Sequence, residues 1–208
     1  FGPIEGANLV DWPIDYDEME PYYDKVEKVV GVSGQVVKHK HQEPRSSKDY
    51  PYPPVISHPL SGHIDKACEQ LGMTSIPMPR AILSRPDLGR NSCSYNGYCG
   101  AYGCATGAKG SSRAALLDKA VATGRCTLYP ESHVSRILTN NAGKITAVEY
   151  RDKKGKKQQV DAQLYVVACQ SIETARLLLN SASSKHQKGL VNSSGQLGKN
   201  LMFAGGGS

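Results

Sequence analysis

The segment at positions 164–181, LYVVACQSIETARLLLNS, constrains the fold more than any other part of the chain. Its first five residues are apolar or aromatic and predict a buried strand at 164–168. A polar turn follows, and then a helix whose first turn contains Glu173 and whose apolar side includes Leu177, Leu178 and Leu179. A buried strand that leads directly into a helix is typical of an α/β fold with a parallel sheet.

The turn between this strand and helix, at positions 168–171, is predicted to bind part of a nucleotide. The first peptide N–H groups of a helix have no partner inside the helix, and they carry a partial positive charge. Groups of this kind hold phosphate oxygens in many nucleotide-binding proteins. The sequence therefore predicts a phosphate or ribose site at this turn.

The N-terminal half is predicted to contain two helices separated by extended chain. A helix is expected within 11–34, because Asp15 and Asp17 are capping residues, Pro21 suits a first turn and Gly31 ends the pattern. Its apolar face is expected to pack against the protein and contains Tyr22, Val26, Val29 and Val30. Polar, proline-rich chain at 35–59 precedes a short helix at 61–71 and an extended or edge-strand passage at 77–83.

The C-terminal half is predicted to be a helix followed by strands. After a glycine- and cysteine-rich loop at 89–110, Ser111 or Ser112 caps a helix that Gly124 ends. Strands are expected at 126–129, 134–139, 145–151 and 158–165. Turns at 140–143 and 153–155 join the last three of these strands into a β-meander.

The composition predicts a folded protein without a nucleic-acid partner and without a transmembrane segment. The chain of 208 residues is 39% hydrophobic, which makes disorder throughout unexpected. Its net charge of +6 is spread along the sequence and has no accompanying stripe of aromatic residues, so we expect no nucleic-acid binding. The sequence has no apolar run near the roughly 18 residues of a transmembrane segment.

Four stretches resemble one enzyme family. They are the 164–181 segment, DWPIDYDEMEPYYDKVEKVVGVSG at 11–34, CGAYGCATGAKGSS at 99–112 and LVNSSGQLGKNLM at 190–202. All four resemble the glucose-methanol-choline (GMC) family of FAD oxidoreductases, in particular its sugar and gluconate dehydrogenase flavoprotein subunits. The resemblance implies an α/β fold: part of a doubly wound, Rossmann-like FAD-binding domain with the β-meander, plus part of an α+β substrate domain.

The resemblance also implies a division of the chain into three segments. Positions 1–110 correspond to the substrate domain or cap, with its extended loops and the cysteine-rich loop. Positions 111–185 correspond to the FAD-binding domain, and 186–208 to the connection back toward the substrate domain. The family's catalytic histidine and its histidine or asparagine partner correspond to positions beyond 208, so no catalytic residue is expected in this segment.

The resemblance places FAD contacts at two sites. In the family, a valine in the strand corresponding to 131–137 presents its backbone to adenine, which implies this role for Val134. The family's turn after the buried strand, usually AAGAIET or close to it, appears here as ACQSIET at 168–174. The FAD contacts implied there are Ala168, Cys169, Gln170, Ser171 and Glu173. Cys169 and Gln170 stand where the family usually has small residues.

The cysteines Cys93, Cys99 and Cys104 leave three interpretations open. In some sugar dehydrogenases that resemble this chain, three thiolates on such a loop hold a 3Fe-4S cluster. Asn96 stands where related proteins often have a fourth cysteine, which argues against a four-iron cluster or a zinc site. The alternatives are one disulfide with a remaining thiol, or three reduced cysteines. The other cysteines are expected to be small buried hydrophobic residues: Cys68, Cys126 and Cys169.

Two functional hypotheses follow. The first is a segment of an FAD-dependent oxidoreductase that oxidises an alcohol group of a sugar or polyol by hydride transfer to flavin. Its expected partners are the small-molecule substrate and an electron-transfer subunit or the remaining parts of the polypeptide, in a periplasmic or secreted rather than cytoplasmic location. The second is a non-catalytic fragment or interaction module. It is favoured by the absence of a GxGxxG run after a predicted strand.

Overall fold

The computed structural model describes residues 5–6, 11–40, 42–97, 99 and 102–203. The chain divides into two compact units, Phe1–Thr127 and Leu128–Ser208. Three positions of the cysteine-rich loop, 98, 100 and 101, lie outside the described residues. Within the described ranges, none of the helices combines the length and apolar character that crossing a membrane requires.

The first unit begins with helix α1, Tyr16–Val30. Asp15 caps it reciprocally: the Asp15 side chain accepts a hydrogen bond from Glu18 N (2.9 Å), and the Glu18 side chain accepts one from Asp15 N (3.2 Å). Gly31 ends the helix with a φ of 84°, which glycine adopts without strain. The predicted helix is confirmed, but Pro21 lies in its interior rather than in the first turn, because the helix begins at Tyr16.

The apolar face of α1 is more exposed than predicted. Tyr22 and Val26 are 63% and 57% exposed, so the expectation that this face packs is wrong for the part of the chain that the structure describes. Val30, at the C-terminal end of the face, is so close to Gly110 that a Cβ there would meet its methyl group at 2.4 Å. An apolar contact of α1 therefore lies at its C-terminal end, while Tyr16, Glu20 and Asp24 bond to residues 44–47.

The core of the first unit is built from extended chain around Ser33. Ser33 forms β-bridges with Tyr52 and with Arg80. The Ser33 hydroxyl donates a hydrogen bond to Ile82 O (2.5 Å) and accepts one from Ser84 N (3.1 Å). The buried side chains packed together here are Tyr52, Leu83 and Ala108. Four segments distant in sequence, around positions 33, 52, 80–84 and 108, are thus joined by isolated bridges and side-chain packing.

Two more helical stretches complete this unit. Helix α2, Ser61–Gln70, confirms the short helix predicted at 61–71. Ser111 Oγ accepts a hydrogen bond from Ala114 N (3.2 Å), as a capping serine does, and a π-helical turn, Arg113–Leu117, leads into α3, Asp118–Ala122. A π-turn inside a helix was not predicted.

The second unit contains the predicted β-meander. Strands β1, His133–Thr139, β2, Ile145–Arg151, and β3, Lys157–Val160, form an antiparallel sheet in the order β1-β2-β3. Asn140 Oδ1 accepts from Ala142 N and Lys144 N in the first hairpin, and Asp152 Oδ1 accepts from Lys154 N and Lys156 N in the second. These side-chain bonds explain why both turns form where the sequence predicts them.

Helix α4, Ser171–Asn180, packs along β1. Leu177 of the helix, Ile137 of the strand and Leu190 form the buried cluster of this unit. The fully buried Ser181 donates a hydrogen bond to Leu177 O (2.6 Å) and accepts one from Ile137 N (2.9 Å). The helix end is therefore tied directly to the strand.

The strand predicted at 164–168 is not formed. This segment is extended but has no ladder partner among the described residues, and Leu164 and Val166 are 78% and 79% exposed. Positions 126–129 are not a strand either, and β3 ends at Val160 instead of continuing to 165. The strands of a parallel sheet are buried because other elements, usually helices, cover both faces of the sheet. The mixed helix-and-sheet class is confirmed, whereas the doubly wound sheet stays a prediction.

Candidate functional site

The bend at 168–171, predicted to face a nucleotide, is open to solvent. Ala168, Cys169, Gln170 and Ser171 are all exposed. The expectation that Cys169 is buried is therefore wrong, because the strand before it is not covered. The exposure leaves the bend accessible to a ligand, as a binding site requires.

Gln170 is the N-cap of α4. Its backbone is extended (φ −61°, ψ 148°), and its side-chain Oε1 accepts hydrogen bonds from Ile172 N (2.9 Å) and Glu173 N (3.2 Å). Gln170 O accepts the first intrahelical bond, from Thr174 N (2.7 Å). Two of the N–H groups that were predicted to face a ligand are thus bound by the protein itself. Sequence reasoning missed this cap because glutamine is not among the preferred N-cap residues.

Glu173 is ionised beside this cap. Its Oε2 accepts hydrogen bonds from Arg176 Nε (2.8 Å) and Nη2 (2.7 Å), and the bond to Arg176 is the main cause that lowers the pKa of Glu173. The start of β1 lies toward the same end of α4, because the C-terminal part of β1 is bonded to the end of the helix, Ile137 N to Ser181 Oγ and Thr139 Oγ1 to Ser183 Oγ. The Glu173–Arg176 pair could have been found from its i,i+3 spacing.

Val134 lies in the same part of the unit. It is half-buried, pairs with Tyr150 across the sheet and packs against the cluster of Ile137, Leu177 and Leu190. The ladder is irregular between Val134 and Arg136, and irregularities of this kind occur often beside binding sites. The structure thus brings Val134 and the bend to neighbouring ends of β1 and α4, while the predicted adenine contact itself stays a prediction.

A groove of about 630 Å³ lies along α4. One side is formed by residues spaced along the helix, Ser171, Ile172, Ala175, Arg176 and Leu179, and the other by residues 198–202. Segment 198–202 was predicted only to connect domains. Its place beside the bend could not be read from the sequence, because it depends on the fold of the intervening chain.

The three loop cysteines line a second pocket, of about 300 Å³, in the first unit. Cys104 Sγ lies 3.5 Å from Lys109 N and 3.5 Å from Thr106 Oγ1. The backbone N–H of Lys109 and then the Thr106 hydroxyl lower the pKa of the Cys104 thiol to about 7. Thr106 and Lys109 were not singled out from the sequence, although both follow Cys104 closely in the CATGAK run.

The described residues of the cysteine pocket are not arranged as a metal-binding group. In the described part of the chain, no three histidine, cysteine, aspartate or glutamate side chains are grouped closely enough to hold a metal ion. The structure describes all six cysteines as free thiols. The choice among the three interpretations of the loop cysteines stays a prediction.

Comparison with known proteins decides the family. Residues 54–203 match the GMC oxidoreductase family, and this range includes the cysteine loop, β1, the bend and α4. The chain belongs to this family.

Three curated relatives are similar along nearly the whole chain. A 2-methyl-1,2-propanediol dehydrogenase of Mycolicibacterium austroafricanum is 36% identical over 200 residues, which are 96% of this chain and 35% of that protein. Paromamine 6'-oxidase of Streptomyces fradiae is 32% identical over 206 residues, 97% of this chain and 36% of that protein. The fructose dehydrogenase large subunit of Gluconobacter japonicus is 33% identical over 196 residues, 92% and 35% respectively. This chain thus spans about a third of the length of these relatives.

Proposed function

We propose that the full-length protein is an FAD-dependent oxidoreductase that oxidises an alcohol group of a sugar or polyol. The observation that carries this proposal is the family match across residues 54–203. The relatives support the substrate class, because their names include a diol dehydrogenase, a fructose dehydrogenase subunit and a paromamine oxidase. When bound, FAD would accept the hydride that leaves the carbon bearing the alcohol.

The described residues fit one part of an FAD site. We propose that the backbone of Val134 contacts adenine and that the bend from Ala168 to Ser171, with Glu173, lies against the adenosine half. This is supported by the exposed bend, by the groove beside it and by the packing of α4 along β1, where Val134 contacts the cluster that contains Leu177. The strand at 164–168 would then be buried by neighbouring strands of a doubly wound sheet in the full-length protein.

The assignment of segments is part of the same proposal. Positions 1–110 would belong to the substrate domain or cap, 111–185 to the FAD-binding domain and 186–208 to the connection between them. Two relatives are named as a subunit or a flavoprotein of a dehydrogenase, which supports an electron-transfer partner. A periplasmic or secreted location is proposed with it.

The test is a visible absorption spectrum of the purified full-length protein, followed by anaerobic addition of substrates. We expect flavin bands that bleach with a polyol or sugar and do not bleach with its fully O-methylated derivative. The methylated compound is the control, because it has the same carbon skeleton but no free alcohol to oxidise. A protein without flavin bands would support the non-catalytic alternative.

A 3Fe-4S cluster at Cys93, Cys99 and Cys104 is a separate proposal for the full-length protein. Its support is that the three side chains line one pocket and that Cys104 Sγ lies within hydrogen-bonding distance of a backbone N–H, since such bonds tune cluster sulfur ligands. The loop would have to close around the cluster. Iron and sulfide analysis with electron paramagnetic resonance tests it: about three irons per chain are expected, and their absence would leave reduced cysteines.

A further inference from the structure

The net charge of +6, although it comes from many positions of the sequence, is divided unequally between the two units. The unit Leu128–Ser208 contains eleven lysine and arginine residues and five aspartate and glutamate residues, so it carries the whole excess. The unit Phe1–Thr127 contains fourteen of each and is neutral in sum. A positive excess confined to one unit gives that unit an electric field that attracts anionic partners.

The densest part of this excess is the tip of the second hairpin, at 151–157. Five of its seven residues are cationic, and all five are exposed: Arg151, Lys153, Lys154, Lys156 and Lys157. The one acidic residue of the tip is Asp152. Its Oδ1 accepts hydrogen bonds from Lys154 N (2.9 Å) and Lys156 N (3.0 Å), and its Oδ2 accepts one from Gln158 Nε2 (3.2 Å). This carboxylate therefore orders the turn and forms no salt bridge with a lysine side chain of the tip.

The four lysines of the tip have few acidic neighbours. Two of them lie beside a glutamate, in the pairs Lys153–Glu131 (3.1 Å) and Lys157–Glu149 (3.3 Å). Both side chains of the Lys153 pair are mostly exposed, and such a pair is weak and screened by salt. Lys154 and Lys156 form no salt bridge with the residues that the structure describes. The ammonium groups of the tip can therefore bind the anionic oxygens of a partner.

Exposed apolar side chains lie beside the tip. Leu128 and Tyr129 are each more than half exposed. The ring of Tyr129 lies 5.8 Å from the ring of Tyr150 in β2, and the Lys153–Glu131 pair holds the same segment against the tip. Lysines beside exposed aliphatic and aromatic side chains suit the interface of an anionic bilayer. There the ammonium groups meet lipid phosphates while the apolar groups enter the headgroup layer.

We propose that the hairpin tip, together with Leu128 and Tyr129, binds the surface of an anionic lipid bilayer. A bilayer fits this surface better than an acidic protein does. Lysine ammonium groups on flexible stems do not need partners at fixed positions, and the apolar side chains beside them gain burial in the headgroup layer. FAD takes no part in this contact, so the inference is independent of the proposed function.

Sedimentation of the full-length protein with lipid vesicles tests the proposal. One set of vesicles contains phosphatidylcholine alone, and the other contains phosphatidylcholine mixed with an equal amount of phosphatidylglycerol. We expect binding to the anionic vesicles only, and we expect it to weaken as sodium chloride is added, because salt screens exposed charges. A protein that stays in the supernatant with both kinds of vesicle overturns the proposal.

A pair of charge variants locates the contact. Lys154→Gln with Lys156→Gln should weaken binding to the anionic vesicles by about 30-fold. Lys144→Gln with Lys185→Gln is the control, because it removes the same charge from exposed positions of the same unit. Lys144 lies before the start of β2, about 20 Å from the tip, so the control should stay within about threefold of the wild type. Equal losses in the two variants would show that net charge alone, and not the tip, causes binding.

An apolar variant separates a bilayer from an acidic protein. Leu128→Ser should weaken binding to the anionic vesicles by about tenfold, because its side chain no longer enters the headgroup layer. Val191→Ser removes another exposed apolar side chain of the unit and should change binding by less than about threefold. If Leu128→Ser lowers the melting temperature, Tyr129→Ser replaces it. Binding that needs the lysines but neither apolar side chain overturns the bilayer assignment and indicates an acidic protein.

Discussion

Among the residues that the structure describes, each unit contains one fully buried serine, and the two serines hold different kinds of structure together. Ser33 of the first unit joins extended segments that pair through isolated bridges. Ser181 of the second unit ties α4 to β1, which already belongs to a hydrogen-bonded ladder. The extended segments of the first unit therefore depend on hydrogen bonds of individual side chains. In the second unit, a hydrogen-bonded sheet supports the chain in addition to its side-chain contacts.

The largest effect is expected at the centre of the first unit. Leu83 is completely buried against Tyr52 and Ala108, so Leu83→Ala should lower the free energy of unfolding by about 2–5 kcal/mol. Leu71→Ala is the control, because Leu71 is 73% exposed and its truncation should change stability by about 0.5 kcal/mol or less. Urea unfolding of the full-length protein measures both. Equal losses in the two variants would show that the core of this unit lies elsewhere.

The next largest effect on stability is expected at a side-chain clamp, the contact of Arg45 with Glu27 of α1 and with Tyr50. The guanidinium of Arg45 hydrogen-bonds to both carboxylate oxygens of Glu27 and lies 4.1 Å from the ring centre of Tyr50. The Arg45 side chain is only 9% exposed, so Arg45→Ala should cost about 2–3 kcal/mol by leaving Glu27 without its partner.

The control for this clamp is the exposed pair of Arg113 and Asp118 in the same unit. These side chains are 80% and 62% exposed, so Arg113→Ala should cost less than about 1 kcal/mol. Arg45→Lys should recover only part of the loss, because lysine lacks the planar fork that binds both oxygens. Full recovery by lysine would mean that charge alone, without geometry, holds the extended chain on α1.

Local sequence signals were sufficient to predict the elements whose hydrogen bonds join residues close in sequence. The capping box of Asp15 and Glu18, the turn residues Asn140 and Asp152, and the start of α4 each satisfy backbone groups within four residues, so their elements are predictable. The strand expected at 164–168 failed for the opposite reason. Its burial depends on neighbours distant in sequence, and an apolar run alone does not specify them.

The candidate site shows the same limit. The sequence located the bend, because an apolar run, a polar turn and a helix pattern follow one another there. It did not predict that Gln170 caps the helix, nor that segment 198–202 forms the other side of the groove. The cap was missed because glutamine is not a preferred N-cap residue, and the place of segment 198–202 depends on the fold of the intervening chain. The cysteine spacing indicated a common loop but not the hydrogen bonds of Thr106 and Lys109 to Cys104.

Exchanging the two serines for alanine tests the central comparison directly. Each variant leaves buried backbone groups without their partners, Ser84 N and Ile82 O in the first unit and Ile137 N in the second, at a cost of about 1–3 kcal/mol. We expect Ser33→Ala to cost more than Ser181→Ala, because no regular ladder supports the surrounding segments. Ser193→Ala, at an exposed position, is the control. The reverse order, measured by urea midpoints, would contradict our comparison of the two units.

The smallest effect is expected at the thiol of Cys104, which lies within hydrogen-bonding distance of a side-chain hydroxyl and a backbone N–H in a loop without regular secondary structure. Its pKa of about 7 lies below the ordinary value of 9.0 because Lys109 N and Thr106 stabilise the thiolate. A pKa that falls on folding contributes stability that is complete above pH 9 and is lost as the pH falls from 9 toward 7. Alkylation of Cys104 by iodoacetamide, followed by mass spectrometry, should therefore have its midpoint near pH 7.

Thr106→Val removes the hydroxyl and should raise this midpoint by about half to one pH unit, since one hydrogen bond to the thiolate is lost. Thr127→Val makes the same substitution at an exposed position outside the cysteine pocket and should leave the midpoint unchanged. Because the largest cause of the shift is the backbone N–H of Lys109, which the variant retains, the midpoint should stay below 9.0. A midpoint that does not move in Thr106→Val would mean that the backbone alone stabilises the thiolate, and that in this loop the first unit does not depend on a single side chain.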